Sequence, residues 1–309
     1  SPLYLIFFGL KLIFHPQLPK FPVLNVFMIQ NAIFHPPSVL TCYGNLIAAR
    51  HCRTMTDWYR YLKYAPDLRC TQDRNVKVWW FPIDYNQTHI NGRLERDGKK
   101  SSNACTIICI LMAQKIFHQG LKIWGFPDQP LSKTLVTAFA ECIADGNTIH
   151  ERLLRNGQLE HMNLTVPEAL SACGNRSKHL VEWYYVQKSL VYLMPMRQSL
   201  YENLQHGISE WQTRPPPHSS PDLYVILIAD SRSVLLVYQK EFEKITLIDS
   251  HSHMHSGSVI AQVEITHLRD LCFWYDAICI EVFGTRPDCY ELSFLYFKNF
   301  GYGDIPGIS

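Results

Sequence analysis

The run Ile245-Thr-Leu-Ile-Asp249-Ser250-His251-Ser-His253-Met-His255 holds the densest chemistry in this sequence: a hydrophobic stretch ends in an acid, a spacer and a histidine. At the end of a strand, residues two apart point to the same side, so Asp249 and His251 can project together and the carboxylate can orient the imidazole. That pair is the base and its orienting group in a nucleophilic site. The nucleophile is best supplied by a cysteine at a helix N-terminus, where the helix end favours the thiolate. Cys105 fits: it follows the polar stretch Gly98-Lys-Lys-Ser-Ser-Asn-Ala104 and opens an apolar helical segment, with Cys109 one turn further in. Cys142 and Cys173, in amphipathic helical segments, and Cys272 and Cys279, in apolar stretches, read as buried.

Each half has an ordinary alternative. A cysteine in an apolar helix is commonly core, and an Asp-x-His in a turn is commonly a solvated cap. The combination is more specific, because a loop-to-helix cysteine about 140 residues before a strand-end Asp-x-His has the chain order of one class of cysteine peptidase. The alternating His251, His253 and His255 could also converge on zinc, but neither HExxH nor CxxC occurs to complete a ligand set, so no metal is expected. His150 and His161, set among charges, read as solvated. Trp183, Tyr184 and Tyr185 read as packing, with part of the stripe able to face a partner.

These residues must be positioned by the surrounding elements. Residues 1–53 form an apolar, proline-punctuated lead-in, and a globular domain is expected over 54–309. Thr56-Asp57 begins a short aromatic helix, 76–83 is a strand, and 86–103 is a polar loop. The pattern predicts helices over 104–119, with Gly120 as a stop, over 132–155, interrupted at Gly146, from a capping box at Thr165-x-x-Glu168, and over 178–194 and 200–211. After the Pro-rich 214–221, short strands are expected at 223–228, 234–238, 245–248 and 259–261, then a helix over 266–276 and a strand over 278–283. A helical first half followed by a mainly antiparallel sheet is an α+β fold. GxGxxG and GxxxxGK[ST] are both absent, so no phosphate loop is expected.

Composition narrows the function classes. The 309 residues carry 29 Lys and Arg against 27 Asp and Glu, a net charge of +2, and are 47% hydrophobic. That apolar fraction supports a real core, and the balanced charge offers no general footprint for nucleic acid. Ten cysteines are too sparse for a small disulfide scaffold and suggest a reducing, cytoplasmic or nuclear setting. The sequons at Asn86, Asn163 and Asn175 would matter only in a secreted chain. Residues 1–14 are too short for a spanning helix and lack the marks of a signal peptide, so no membrane association is expected. The chain opens on Ser1, as a fragment of a longer protein would.

Taken together, Asn103-Ala-Cys105-Thr-Ile-Ile opening a helix, the hairpin over 223–238, and Ile245-Thr-Leu-Ile-Asp249-Ser-His251-Ser followed by Gly257-Ser-Val-Ile-Ala resemble the herpesvirus tegument deubiquitinases and their cellular relatives. The resemblance spans about residues 75–285. It implies a papain-like cysteine peptidase that cleaves ubiquitin or a ubiquitin-like modifier from conjugates, with Cys105 as nucleophile, His251 as base, Asp249 as its orienter, and no cofactor. The Asp-x-His order is also similar to autophagy-type and other modifier proteases, whose spacer is usually proline, and Ser250 favours the tegument-like group. The family places a glutamine upstream of its cysteine to help form the oxyanion hole. The nearest upstream glutamine here is Gln87, 18 residues away, with Asn103 as an alternative donor. That departure keeps open a second class, a catalytically inactive module of the same fold that binds a modifier or another protein.

Overall fold

A computed structural model describes residues 59–123, 130–183 and 191–298, all within the compact unit Ile47–Ser309. Residues 1–53, the helix start at Thr56-Asp57, and Tyr184 and Tyr185 lie outside the described residues. The short helix α1 (Arg60–Lys63) precedes strands β1 (Arg69–Asp73) and β2 (Val76–Trp80). Two-residue strands β3 (Arg93–Leu94) and β4 (Lys100–Ser101) pair within the polar loop that leads to helix α2 (Cys105–His118). Helices α3 (Lys133–Arg155) and α4 (Val166–Cys173) follow, the first capped by the Ser132 hydroxyl and the second by the predicted Thr165–Glu168 capping box. Strands β5 (Leu180–Glu182) and β6 (Val191–Tyr192) precede helix α5 (Met196–Thr213). The second half supplies β7 (Leu223–Ala229), β8 (Arg232–Gln239), β9 (Lys244–Asp249) and β10 (Val259–Glu264), then helix α6 (Leu268–Phe283) and strand β11 (Tyr290–Phe297).

The main sheet runs β1-β2-β10-β9-β8-β7-β11-β5, with β6 also paired to β11, and its pairings are antiparallel. Alternate residues of its central strands enter two different cores. Tyr224, Ile226, Leu235, Val237, Ile248 and Ile260 pack with α2, α3 and α4. Leu223, Val225, Leu227, Val234, Leu236, Leu247 and Ala261 pack with α5 and α6. Helices covering both faces explain why these strands read as unbroken apolar runs rather than half-polar alternations. The α+β class is therefore found, but the sheet is not confined to the second half, because β1 and β2 close one edge.

Three local expectations change. The described residues of 178–194, namely 178–183 and 191–194, are not helical: β5 and β6 hydrogen-bond to β11, a partner over 90 residues away that local periodicity does not reveal. The predicted strand 278–283 is the end of α6, whose Leu271, Tyr275, Ile278 and Cys279 repeat at helical spacing against the second core. There the packing face overrides the strand preference of Ile278, Ile280 and Val282. Gly146 does not interrupt α3. It lets α3 lie close to α2, since a Cβ there would come within 2.5 Å of Ile108 Cγ1.

Two loops meet at the end of β9 and β10. Asp249, the last residue of β9, pairs with Val259, which also pairs with Trp80 at the end of β2. Beyond these strands the loop after β2 zips onto the loop between β9 and β10: Gly257 N–H donates to Phe81 O at 2.9 Å, Phe81 N–H to Ser258 O at 3.1 Å, and Ser258 N–H to Tyr85 O at 2.7 Å. A Cβ on Gly257 would sit 2.1 Å from Pro82 O and 2.3 Å from Tyr85 O, backbone atoms that cannot swing aside. Gly257→Ala is therefore expected to destabilise the fold by about 3 kcal/mol, read as a lower urea midpoint at unchanged slope.

Candidate active site

Cys105 is the first residue of α2, preceded by Ala104, which provides no side-chain cap. The first-turn amides thus keep free donors near the sulfur, and no acid in that turn opposes their field. Thr106 anchors the helix start: its hydroxyl donates to Leu164 O at 2.9 Å and lies 2.8 Å from the Ser233 hydroxyl on β8. Cys105 is only 3% exposed.

The Asp249-Ser250-His251 turn faces this cysteine. Asp249 Oδ1 accepts from His251 Nδ1 at 2.6 Å and from the His251 backbone N–H at 2.9 Å. The ring is thereby fixed with a proton on Nδ1, leaving Nε2 free for the Cys105 thiol, with which His251 interacts. Asp249 is fully buried. Burial alone would raise its pKa, but the charge of His251, the hydrogen bonds from it and the nearby His253 hold its carboxyl well below the usual range. His251 shows the reciprocal effect: burial favours its neutral form, yet the charge and hydrogen bond of Asp249, helped by Cys105, push it up to about 10.

The sulfur responds to the same partners. Burial pushes Cys109, Cys142, Cys173, Cys272 and Cys279 up. Cys105, just as enclosed, is lowered, because the hydrogen bond and charge of His251 and contacts from the Ser233 hydroxyl and backbone outweigh the burial that would raise it. The arrangement therefore supports a thiolate beside an imidazolium.

Gln87 also reaches this centre. Its backbone N–H donates to Ser250 O at 2.8 Å, its Oε1 accepts from the Ser250 hydroxyl at 2.6 Å, and its Nε2 donates to Ser102 O at 3.3 Å, three residues before Cys105. Asn147, inside α3, ties this region together, donating from Nδ2 to Gln87 O at 2.7 Å and to Ile90 O at 2.8 Å while its Oδ1 accepts from the Ser102 hydroxyl at 2.6 Å. Asn103 is turned elsewhere, with Nδ2 donating to Asn163 Oδ1 at 3.0 Å. Cys105, His251, Asp249 and Gln87 are brought together; the Asn103 amide is committed to Asn163.

The histidine run divides. His253 is fully enclosed, with Nε2 3.2 Å from Asp249 Oδ2 and Nδ1 3.0 Å from both His251 O and Gly257 O. His255 is exposed. Among the described residues, no group of three or more His, Cys, Asp or Glu side chains could hold a metal ion. His150 is not solvated: it is buried in α3 and its Nε2 lies 2.8 Å from Met162 O. Sequence reasoning missed Asn147 and Ser233, and weighed His253 as a zinc ligand, whereas it lies against Asp249. A usable signal existed for Asn147, a polar residue on the buried stripe formed by Ile143, Gly146 and His150. The eight described cysteines are all free. No described helix is long and apolar enough to cross a membrane.

No family model and no curated protein matches the chain. Among solved structures, it is similar to the ubiquitin-specific protease encoded by murine cytomegalovirus tegument protein M48, captured with a ubiquitin-based suicide substrate. That likeness has 11% identity and a TM-score of 0.43, covering 74% of this chain and 89% of that one. It is also similar to PatoxP, a cysteine protease-like domain of the Photorhabdus asymbiotica toxin PaTox, at 14% identity and a TM-score of 0.30, covering 86% of this chain and 64% of that one. Likenesses this distant assign no role to any residue, and the site stands on its own geometry.

Proposed function

We propose that this chain is a papain-like cysteine peptidase that releases ubiquitin or a ubiquitin-like modifier from conjugates. The observation that carries the reading is the pairing of buried Asp249 with His251 beside Cys105 at a helix N-terminus. In this reading His251 holds the Cys105 proton and Asp249 stabilises the resulting imidazolium. The thiolate attacks the carbonyl of the modifier's C-terminal residue. The oxyanion that forms accepts from the Cys105 backbone N–H and from Gln87 Nε2. His251 then protonates the leaving amine as the C–N bond breaks, and the thioester left on Cys105 is cleared by a water whose proton His251 accepts. No cofactor enters any of these steps.

The substrate class is supported by two features. One is the resemblance carried by 103–108, 223–238 and 245–261. The other is the near-complete enclosure of Cys105, which suits an extended tail of glycines and excludes bulkier side chains.

C-terminally electrophilic probes of ubiquitin and of ubiquitin-like modifiers test the reading. A covalent adduct is expected with at least one of them, absent in Cys105→Ala and slowed by roughly 10²–10⁴ in His251→Ala. Folded protein that captures every probe without forming an adduct would instead mark a binding module. The pH dependence has a defined sign. The thiolate persists until pH falls below the lowered Cys105 value, so iodoacetamide should modify Cys105 faster than an ordinary thiol at neutral pH. Turnover should decline above about pH 10, where His251 loses the proton that the leaving amine needs. In His251→Ala the alkylation profile should move upward, because the main opposition to burial is then gone and only the Ser233 contacts still favour the thiolate. An ordinary profile indifferent to His251→Ala would sink the ion-pair assignment.

A further inference from the structure

We propose that Ser250, the spacer between the acid and the base, is a positioning residue that holds the Gln87 amide in the orientation needed at the oxyanion; this rests on the peptidase reading above. A glutamine amide turns easily about its last torsion, and its two orientations exchange a donor for an acceptor. Only the donor stabilises an oxyanion, and an Oε1 in its place would repel one. Two contacts select the donor. Ser102 O can only accept, so the nitrogen must face it, at 3.3 Å, and the Ser250 hydroxyl donates to Oε1 at 2.6 Å. One N–H of Nε2 is thereby used and the oxygen is satisfied, which leaves the second N–H for substrate.

The placement makes the selection strong. Ser250 and Gln87 are each 3% exposed, so no water substitutes freely for the hydroxyl, and an amide oxygen stripped of its partner there is unfavourable. A second bond, Gln87 N–H to Ser250 O at 2.8 Å, fixes the two backbones together. The hydroxyl thus leaves the turn toward Gln87 while the flanking Asp249 and His251 pair with each other. The turn that sets the base also sets the oxyanion donor, and neither can shift without the other.

The test separates oxyanion chemistry from thiol chemistry. Turnover of ubiquitin carrying a C-terminal aminomethylcoumarin, or of the equivalent conjugate of whichever modifier labels Cys105, passes through an oxyanion. Alkylation by iodoacetamide does not. Ser250→Ala is expected to lower kcat by about 10–100-fold with KM within about twofold, while leaving the rate and pH profile of Cys105 alkylation unchanged. Gln87→Ala should lower kcat by roughly 10²–10³, the double variant should match Gln87→Ala alone, and Ser250→Thr, which keeps the hydroxyl, should retain most of the turnover. The proposal is overturned if Ser250→Ala turns over normally, if its loss persists undiminished in the Gln87→Ala background, or if the alkylation profile shifts along with kcat. If Gln87→Ala slows turnover and Ser250→Ala does not, the peptidase reading stands without this role. A wild-type chain that alkylates rapidly but cleaves no conjugate overturns both.

Discussion

A buried carboxylate organises this site. Asp249 has no exposed surface, and an ion taken out of water is tolerated only when surrounding charges and donors replace its hydration. The imidazole and backbone N–H of His251 and the adjacent imidazole of His253 do so here. All belong to the short segment after β9, so satisfying the carboxylate dictates the path of that loop. The loop must turn back at once to begin β10, which places Gly257 under the backbone of the segment after β2. A single electrostatic demand therefore shapes both loops that frame Cys105.

The sheet and α2 provide the rigidity that this demand requires. Because helices cover both faces of the sheet, the end of β9 has no freedom to tilt toward solvent. Ten of the fourteen residues of α2 are buried, so its N-terminus is likewise held in place. Thr106, pinned between Leu164 O and the Ser233 hydroxyl, joins the helix start to the strand hairpin beside it. A thiol and an imidazole carried on such elements can keep hydrogen-bonding distance without a flexible linker between them. The opposite shifts of Cys105 and of the other buried cysteines follow from that contact: burial is common to all of them, and His251 adjoins only one.

The errors of the sequence reading share a cause. The segment near residue 180 and the segment 278–283 both contain apolar runs compatible with helix or strand, and in each the choice depended on a distant partner. For β5 the partner is β11, and for the end of α6 it is the second core. Asn147 is comparable: its amide looks like an odd polar residue on an apolar face until loop carbonyls from 87 and 90 are folded against it.

The types and order of the chemical groups are legible in the chain: a cysteine after a polar loop at a helix start, and an acid, spacer and histidine at a strand end. Those features are local, set by helix caps, apolar periodicity and the two-residue alternation of a strand, and they need no distant contact to be legible. Packing settles that Gln87 rather than Asn103 meets the Ser250 turn, that His253 lies against Asp249 instead of facing solvent, and that His150 is buried. The first depends on a hydrogen bond between residues 163 apart in the chain, and the other two on how a loop folds back onto its neighbour, at Asp249 and at Met162. The partner's identity, and not the residue's own preference, fixes where such a side chain points.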